Sequence, residues 1–155
     1  MYCQNINGSE IMKYKILQKK DIEKIIPMYV DYYNNHEECE WNKETTYKRI
    51  SQVVTKEDSL CFQLLKEDEV IGLAIGYFEQ YDDGIVYDLI EIVIKYEYQN
   101  QKIGTTFMGM IESEVKSRGG FMVQLTAVND EWHNHFYGKL GYNNCNNLVL
   151  KSKIL

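Results

Sequence analysis

The sequence predicts a single-domain α/β fold, a mixed, mostly antiparallel sheet with helices on both faces, and three observations point there. The chain has 155 residues, room for one hydrophobic core of ordinary size. Segments with strand-like apolar patterns interleave with segments whose apolar residues recur at helical spacing. Between 85 and 128, two buried apolar runs flank one amphipathic stretch, the pattern of a strand–helix–strand unit with its crossover helix on the sheet.

Residues 1–11 (MYCQNINGSEI) lack the basic start and apolar core of a signal peptide and are expected to be a poorly ordered leader, or to precede an alternative start at Met12. KYKILQ at 13–18 alternates in part and predicts a first, half-buried strand. Asp21 stands at an N-cap position ahead of Ile22, Ile25, Ile26, Tyr29, Val30 and Tyr33, which mark a helix. Pro27 falls inside that pattern, so the helix either kinks there or begins there. A polar, acidic stretch leads to a second amphipathic helix over about 44–55. Strands at 60–65 and 70–79 are joined through the charged KEDE, and Tyr81-Asp-Asp-Gly84 marks another turn. IVYDLIEIVI at 85–94 is the most apolar β-branched run and predicts a central strand. A helix over about 102–118 ends at Gly119-Gly120. A strand at 121–128, a helix at 131–140 and a final strand at 148–154 complete the chain.

Composition narrows the function. The formal net charge is -6 and no basic run exceeds a pair, which argues against nucleic acid as a partner. The longest apolar stretch, 70–78, is far short of a membrane span. Four cysteines lie far apart with no CxxC pair, as reduced thiols of a cytoplasmic protein would, and no metal-ligand spacing appears. Thirteen tyrosines, each with an apolar body and a polar tip, suit a partly wet cleft.

The segment Tyr98-Gln99-Asn100-Gln101-Lys102-Ile103-Gly104-Thr105-Thr106 runs from the central strand into a helix. A helix start presents unpaired N–H groups and partial positive charge, which a pyrophosphate satisfies. Gly104 would let a ligand approach closely, and Thr105 and Thr106 would add hydroxyl donors. This stretch resembles motif A (Q/R-x-x-G-x-G/A) of the GNAT superfamily of N-acetyltransferases: Gln99 and Gly104 match, while Lys102 replaces the middle glycine. The Lys102 N–H would still point at the phosphates if its φ is helical. Downstream, Phe136-Tyr137-Gly138-Lys139-Leu140-Gly141-Tyr142 is similar to the family's F-Y-x-x-x-G-F/Y signature. The resemblance covers residues 12–155.

The resemblance implies an acetyl-CoA-dependent acetyltransferase whose sheet splays between the 85–94 and 121–128 strands. The pantetheine arm would pair with the backbone of Ile92, Val93 and Ile94, Asn129 would hydrogen-bond that arm, and residues 99–106 would hold the pyrophosphate. Tyr137 becomes the candidate general acid for the departing thiolate, against the alternative of an aromatic packing residue. Glu91, ionisable on a buried strand, is the candidate base for the amine; the alternative is a carboxylate paired with a neighbour. Asp88 would point to the opposite side of a regular strand. Tyr32, Tyr33, His36 and Trp41, beside Glu37, Glu38 and Glu40, are expected to wall a pocket for a small cationic amine. Rival readings are an acyl-CoA sensor of the same fold without turnover, and an acetyltransferase acting on protein amines. Monomer and homodimer both remain open.

Overall fold

In the computed structural model the backbone is described for residues 2–6 and 10–155, and side chains from Met12 onward. The expected leader, 1–11, lies partly outside the described residues; within it, the backbone of β1 (Tyr2–Ile6) pairs antiparallel with β2 (Glu10–Ile16). Then come α1 (Ile22–His36), α2 (Lys43–Val54), β3 (Phe62–Lys66), β4 (Glu69–Gln80), β5 (Ile85–Ile94), α3 (Ile103–Ser117), β6 (Gly120–Leu125) and α4 (Glu131–Lys139). The six strands lie in chain order, all neighbours antiparallel except the parallel pair β5–β6.

Local sequence explains most of these elements. The helix α1 starts at Ile22 rather than at Pro27, which sits exposed inside it while Ile22, Ile25, Ile26, Met28 and Tyr29 face the core. Asn42 caps α2, accepting the Thr45 N–H at 3.0 Å. The β3–β4 hairpin closes through Glu67 and Asp68, both with positive φ (48° and 69°), as a two-residue turn with the strand twist requires.

Two cores form, one on each face of the sheet. Tyr14, Phe62, Leu64, Tyr87 and Leu89 meet Phe107, Met108 and Ile111 of α3 on one face. Leu73, Ile75 and Val93 meet Ile22, Ile25, Tyr29 and Ile50 of α1 and α2 on the other. β4 is buried from Val70 to Gly76, so it shares the centre of the sheet with β5.

Three expectations are corrected here. The strand predicted at 148–154 does not form: these residues are irregular and exposed, and among the described residues β6 is paired only with β5. Alternating Leu148, Leu150 and Ile154 signal β-propensity, but a strand also needs an edge to pair with. The strand predicted at 121–128 leaves the sheet after Leu125. Finally, β5 is not regular. Ile75 pairs with Glu91 and Gly76 with Leu89, so Ile90 is an extra residue, a β-bulge. Gly76 permits it, since a Cβ there would collide with the Asp88 carbonyl and the Tyr87 ring. Asp88 pairs with Tyr77 and Glu91 with Ile75, both on the α1/α2 side. The bulge therefore puts Asp88 and Glu91 on the same face, not on opposite ones.

Candidate active site

The bulge also opens the site. Parallel pairing of β5 with β6 stops at Leu89–Leu125, while β5 continues to Ile94 against β4 alone. The two strands part where Ile90 bends β5. The gap is the mouth of a cleft of about 560 Å³, walled on one side by β5 (Leu89–Ile92) and on the other by Leu125–Val128, His133 and Tyr137. Tyr29 and Tyr33 of α1, Trp41 of the α1–α2 connection and Arg49 of α2 close its α1/α2 end.

Glu91 is the centre of the polar wall. Its side chain is 10 % exposed; Oε1 accepts the Tyr33 hydroxyl at 2.5 Å and Oε2 accepts Arg49 Nε at 3.3 Å. Burial first, and then the Glu91 charge, push the Tyr33 and Tyr29 phenols well above the usual tyrosine range, so both stay protonated donors. Asp88 accepts the Tyr77 hydroxyl at 3.3 Å, and burial raises its carboxyl. It is absent from the cleft lining. Across the gap, burial raises the Tyr137 phenol; its ring packs edge-on against Phe136 and Tyr142.

The loop ahead of α3 leaves the helix start without a side-chain cap. Asn100 and Lys102 are left-handed (φ 59° and 63°), so the condition of a helical φ at Lys102 is not met. It holds the conformation that glycine adopts without strain, which is why the motif has a glycine there. The first α3 amide to bond back is Thr106 N–H, to the Lys102 carbonyl at 3.0 Å. Among the described residues no side chain caps the helix, and no acid lies in its first turn. The N–H groups of Ile103, Gly104 and Thr105 thus form an uncapped positive end, which fits a pyrophosphate.

Other motif residues are placed differently from expectation. The Gln99 side chain donates to the Ile94 carbonyl at 3.0 Å, at the end of β5, and of the residues between Glu91 and Ile94 only Ile92 lines the cleft. Gln101 closes the loop onto the Glu97 carbonyl, and the Thr106 hydroxyl is spent on Lys102 O. A Cβ on Gly104 would lie 3.4 Å from Phe136, so this glycine seats α4 against α3. The Asn129 amide oxygen accepts from Asn134 at 3.1 Å, just beyond the cleft wall.

Of the expected acceptor wall only Tyr33 and Trp41 line the cleft. The His36 ring stacks on Tyr96, centroids 4.0 Å apart, and the Tyr32 hydroxyl bonds Glu37, its phenol pushed up to about 12 by burial and then by Glu37. Glu37, Glu38 and Glu40 do not reach the cleft. Sequence reading missed Tyr29, Arg49, Cys39 and His133. Tyr29 precedes Tyr33 by one helical turn, a signal in hindsight; Arg49, on a polar helix far along the chain, gave none.

These features are matched by known proteins. Residues 22–142 match the Acetyltransferase (GNAT) family. The chain belongs to that family. Solved structures with the GNAT fold include a possible acetyltransferase from Clostridium difficile 630, 13 % identical, TM-score 0.77, over 93 % of this chain and 98 % of the other. An aminoglycoside N-acetyltransferase in complex with CoA is 12 % identical, TM-score 0.73, over 96 % and 99 %. A ribosomal-protein-alanine N-acetyltransferase from Brucella melitensis is 8 % identical, TM-score 0.71, over 92 % and 99 %. No curated protein matches this GNAT chain in sequence.

Proposed function

We propose that this GNAT protein transfers the acetyl group of acetyl-CoA to a primary amine by direct attack, within the cleft between β5 and β6. One observation carries this reading: Glu91 with its Tyr33 and Arg49 partners, and protonated Tyr137, line a single cleft between β5 and the segment that follows β6; the uncapped start of α3 is a separate feature outside that lining. Acetyl-CoA supplies the activated thioester carbonyl. The N–H groups of Ile103–Thr105 hold its pyrophosphate, and the β5 backbone at Ile92 and Val93 pairs with its pantetheine arm. An N–H of that open edge stabilises charge on the carbonyl oxygen.

The residues then divide the proton work. Glu91 accepts the amine proton, directly or through water, as nitrogen bonds to the carbonyl carbon. As the C–S bond breaks, the Tyr137 hydroxyl gives the sulfur a proton; desolvation keeps that proton on the phenol until then. The aminoglycoside and ribosomal-protein enzymes of the same fold acetylate amines by their names, which supports this reaction class.

Thermal melting with acetyl-CoA and a thiol-release screen of primary amines test the reading together. A saturable rise in Tm and amine-dependent CoA release are expected. No shift at millimolar acetyl-CoA would sink the cofactor assignment, and a shift without release across the panel would leave a sensor instead of an enzyme.

A further inference from the structure

The cleft contains a second charged group that acetyl transfer to a simple amine does not need. Arg49 is one of only two arginines in the chain, and α2 places it in the cleft wall. Its pairing with Glu91 is loose. Only Nε reaches Oε2, at 3.3 Å, whereas a charge-assisted N–H···O bond closes to about 2.7–2.9 Å and a guanidinium locked onto a carboxylate engages both arms of its fork. The two groups also differ in exposure: the Glu91 side chain is 10 % exposed and the Arg49 side chain 38 %. Both side chains line the cleft, and the Arg49 side chain is the more open to solvent of the two. Beyond Glu91, the cleft group beside it is the Tyr29 phenol. A guanidinium carries about five N–H donors in a planar fork, more than these two partners use.

The charge of the whole site points the same way. Among the described residues Glu91 is the only carboxylate lining the cleft, and Arg49 offsets it. His133, the other basic side chain in the wall, is already turned to Asp130, 2.8 Å away. A polycationic acceptor would want several carboxylates here, and Glu37, Glu38 and Glu40 lie elsewhere. A site with one carboxylate and one under-used guanidinium matches a molecule carrying one amine and one carboxylate.

We propose that the acceptor is an amino-carboxylate, a free amino acid, with its amine toward Glu91 and its carboxylate on the outer N–H groups of Arg49. Tyr29, Tyr33 and Trp41 pack around its carbon skeleton. This rests on the proposed transfer to a primary amine and narrows its substrate. Arg49 becomes the specificity-determining residue: it recognises a planar carboxylate bidentately, which a lysine ammonium does not.

The test uses the full chain, acetyl-CoA and matched acceptors: L-amino acids, their amides and their decarboxylated amines, with kanamycin and spermidine added. CoA release is followed for each. An amino acid is expected to give kcat/KM about tenfold or more above its amide and its decarboxylated amine, mostly through KM. In Arg49→Gln that ratio falls toward one, and in Arg49→Lys it lies between; acetyl-CoA affinity and melting temperature of each variant verify the fold. Amides or simple amines acetylated as well as the amino acids, or a ratio unmoved by both variants, overturns the amino-carboxylate assignment while leaving amine acetylation standing. Absence of CoA release with every acceptor instead strikes the transferase reading on which it rests.

Discussion

Lys102 offers a clean measurement of what the cofactor loop is made of. Its φ of 63° is left-handed, at the N-cap of α3, where an L side chain is strained by about 1–2 kcal/mol. Lys102→Gly removes that strain but gives the unfolded chain extra freedom, which returns about 0.4–1 kcal/mol. The difference spans about 0–1.6 kcal/mol and centres near 0.8 kcal/mol, or about 2–3 °C in Tm for a chain of this length. Lys102→Ala is the control. It removes the same ammonium from the positive end of α3, with the same small electrostatic benefit, but keeps the Cβ and hence the strain. Differential scanning calorimetry on the three proteins then isolates the backbone contribution as the difference between the glycine and alanine variants. Any loss of acetyl-CoA affinity should be shared by both, because both lose the charge. A glycine variant that melts no higher than the alanine variant refutes the assignment of this position as a strained glycine site.

Three further outcomes are expected. Tyr137→Phe should lower kcat by about ten- to a hundredfold with little change in acetyl-CoA affinity, the modest end of general-acid effects because a thiolate leaves readily; since burial raises this phenol, any alkaline limb it contributes to the pH–rate profile lies above pH 10. Asp88→Asn should raise Tm at pH 7: the folded state holds this carboxyl above its usual value, so the ionised form opposes folding at neutral pH, and the gain should fade as pH drops through that raised value toward the ordinary carboxylate range. Gly104→Val should push the Phe136 ring from its seat, lowering Tm and, by shifting α4, slowing turnover more than a comparable change at Gly109, where an added Cβ meets nothing; equal effects at the two glycines would contradict the packing role.

The layered fold was legible because it follows from periodicity. The α1 face from Ile22 to Tyr29 and the buried run 85–94 are local patterns, and local patterns survive folding. The family resemblance was legible for a similar reason, as Gln99, Gly104 and the Phe136–Tyr142 stretch are contiguous in sequence. What escaped depends on pairing. Leu148–Ile154 has a strand's alternation, yet whether a neighbour offers it a free edge is a property of the whole sheet. The Arg49–Glu91 contact joins residues 42 positions apart, and a lone arginine on a polar helix looks like any solvated charge. Tyr32 and His36 were misplaced because their helix turns them toward Tyr96 and Glu37, away from the cleft their neighbour Tyr33 enters.

The least legible feature is the one on which the site depends. The extra Ile90 is set by how β5 aligns with β4 across Gly76, and nothing in IVYDLIEIVI announces it. Yet this residue sits where the pairing with β6 ends, β5 beyond it pairs with β4 alone, and the extra position sets Glu91 on the side of Tyr33 and Arg49. Its deletion separates these roles. Without Ile90, Leu89 would still oppose Gly76 and Glu91 would still oppose Ile75, so both cores keep their faces. The bend would be lost, however, and β5 would be free to continue its ladder with β6 into the gap. The deletion variant should therefore still melt cooperatively but show no rise in Tm with acetyl-CoA. A wild-type shift in that variant would mean that the parting of β5 and β6 does not come from the bulge.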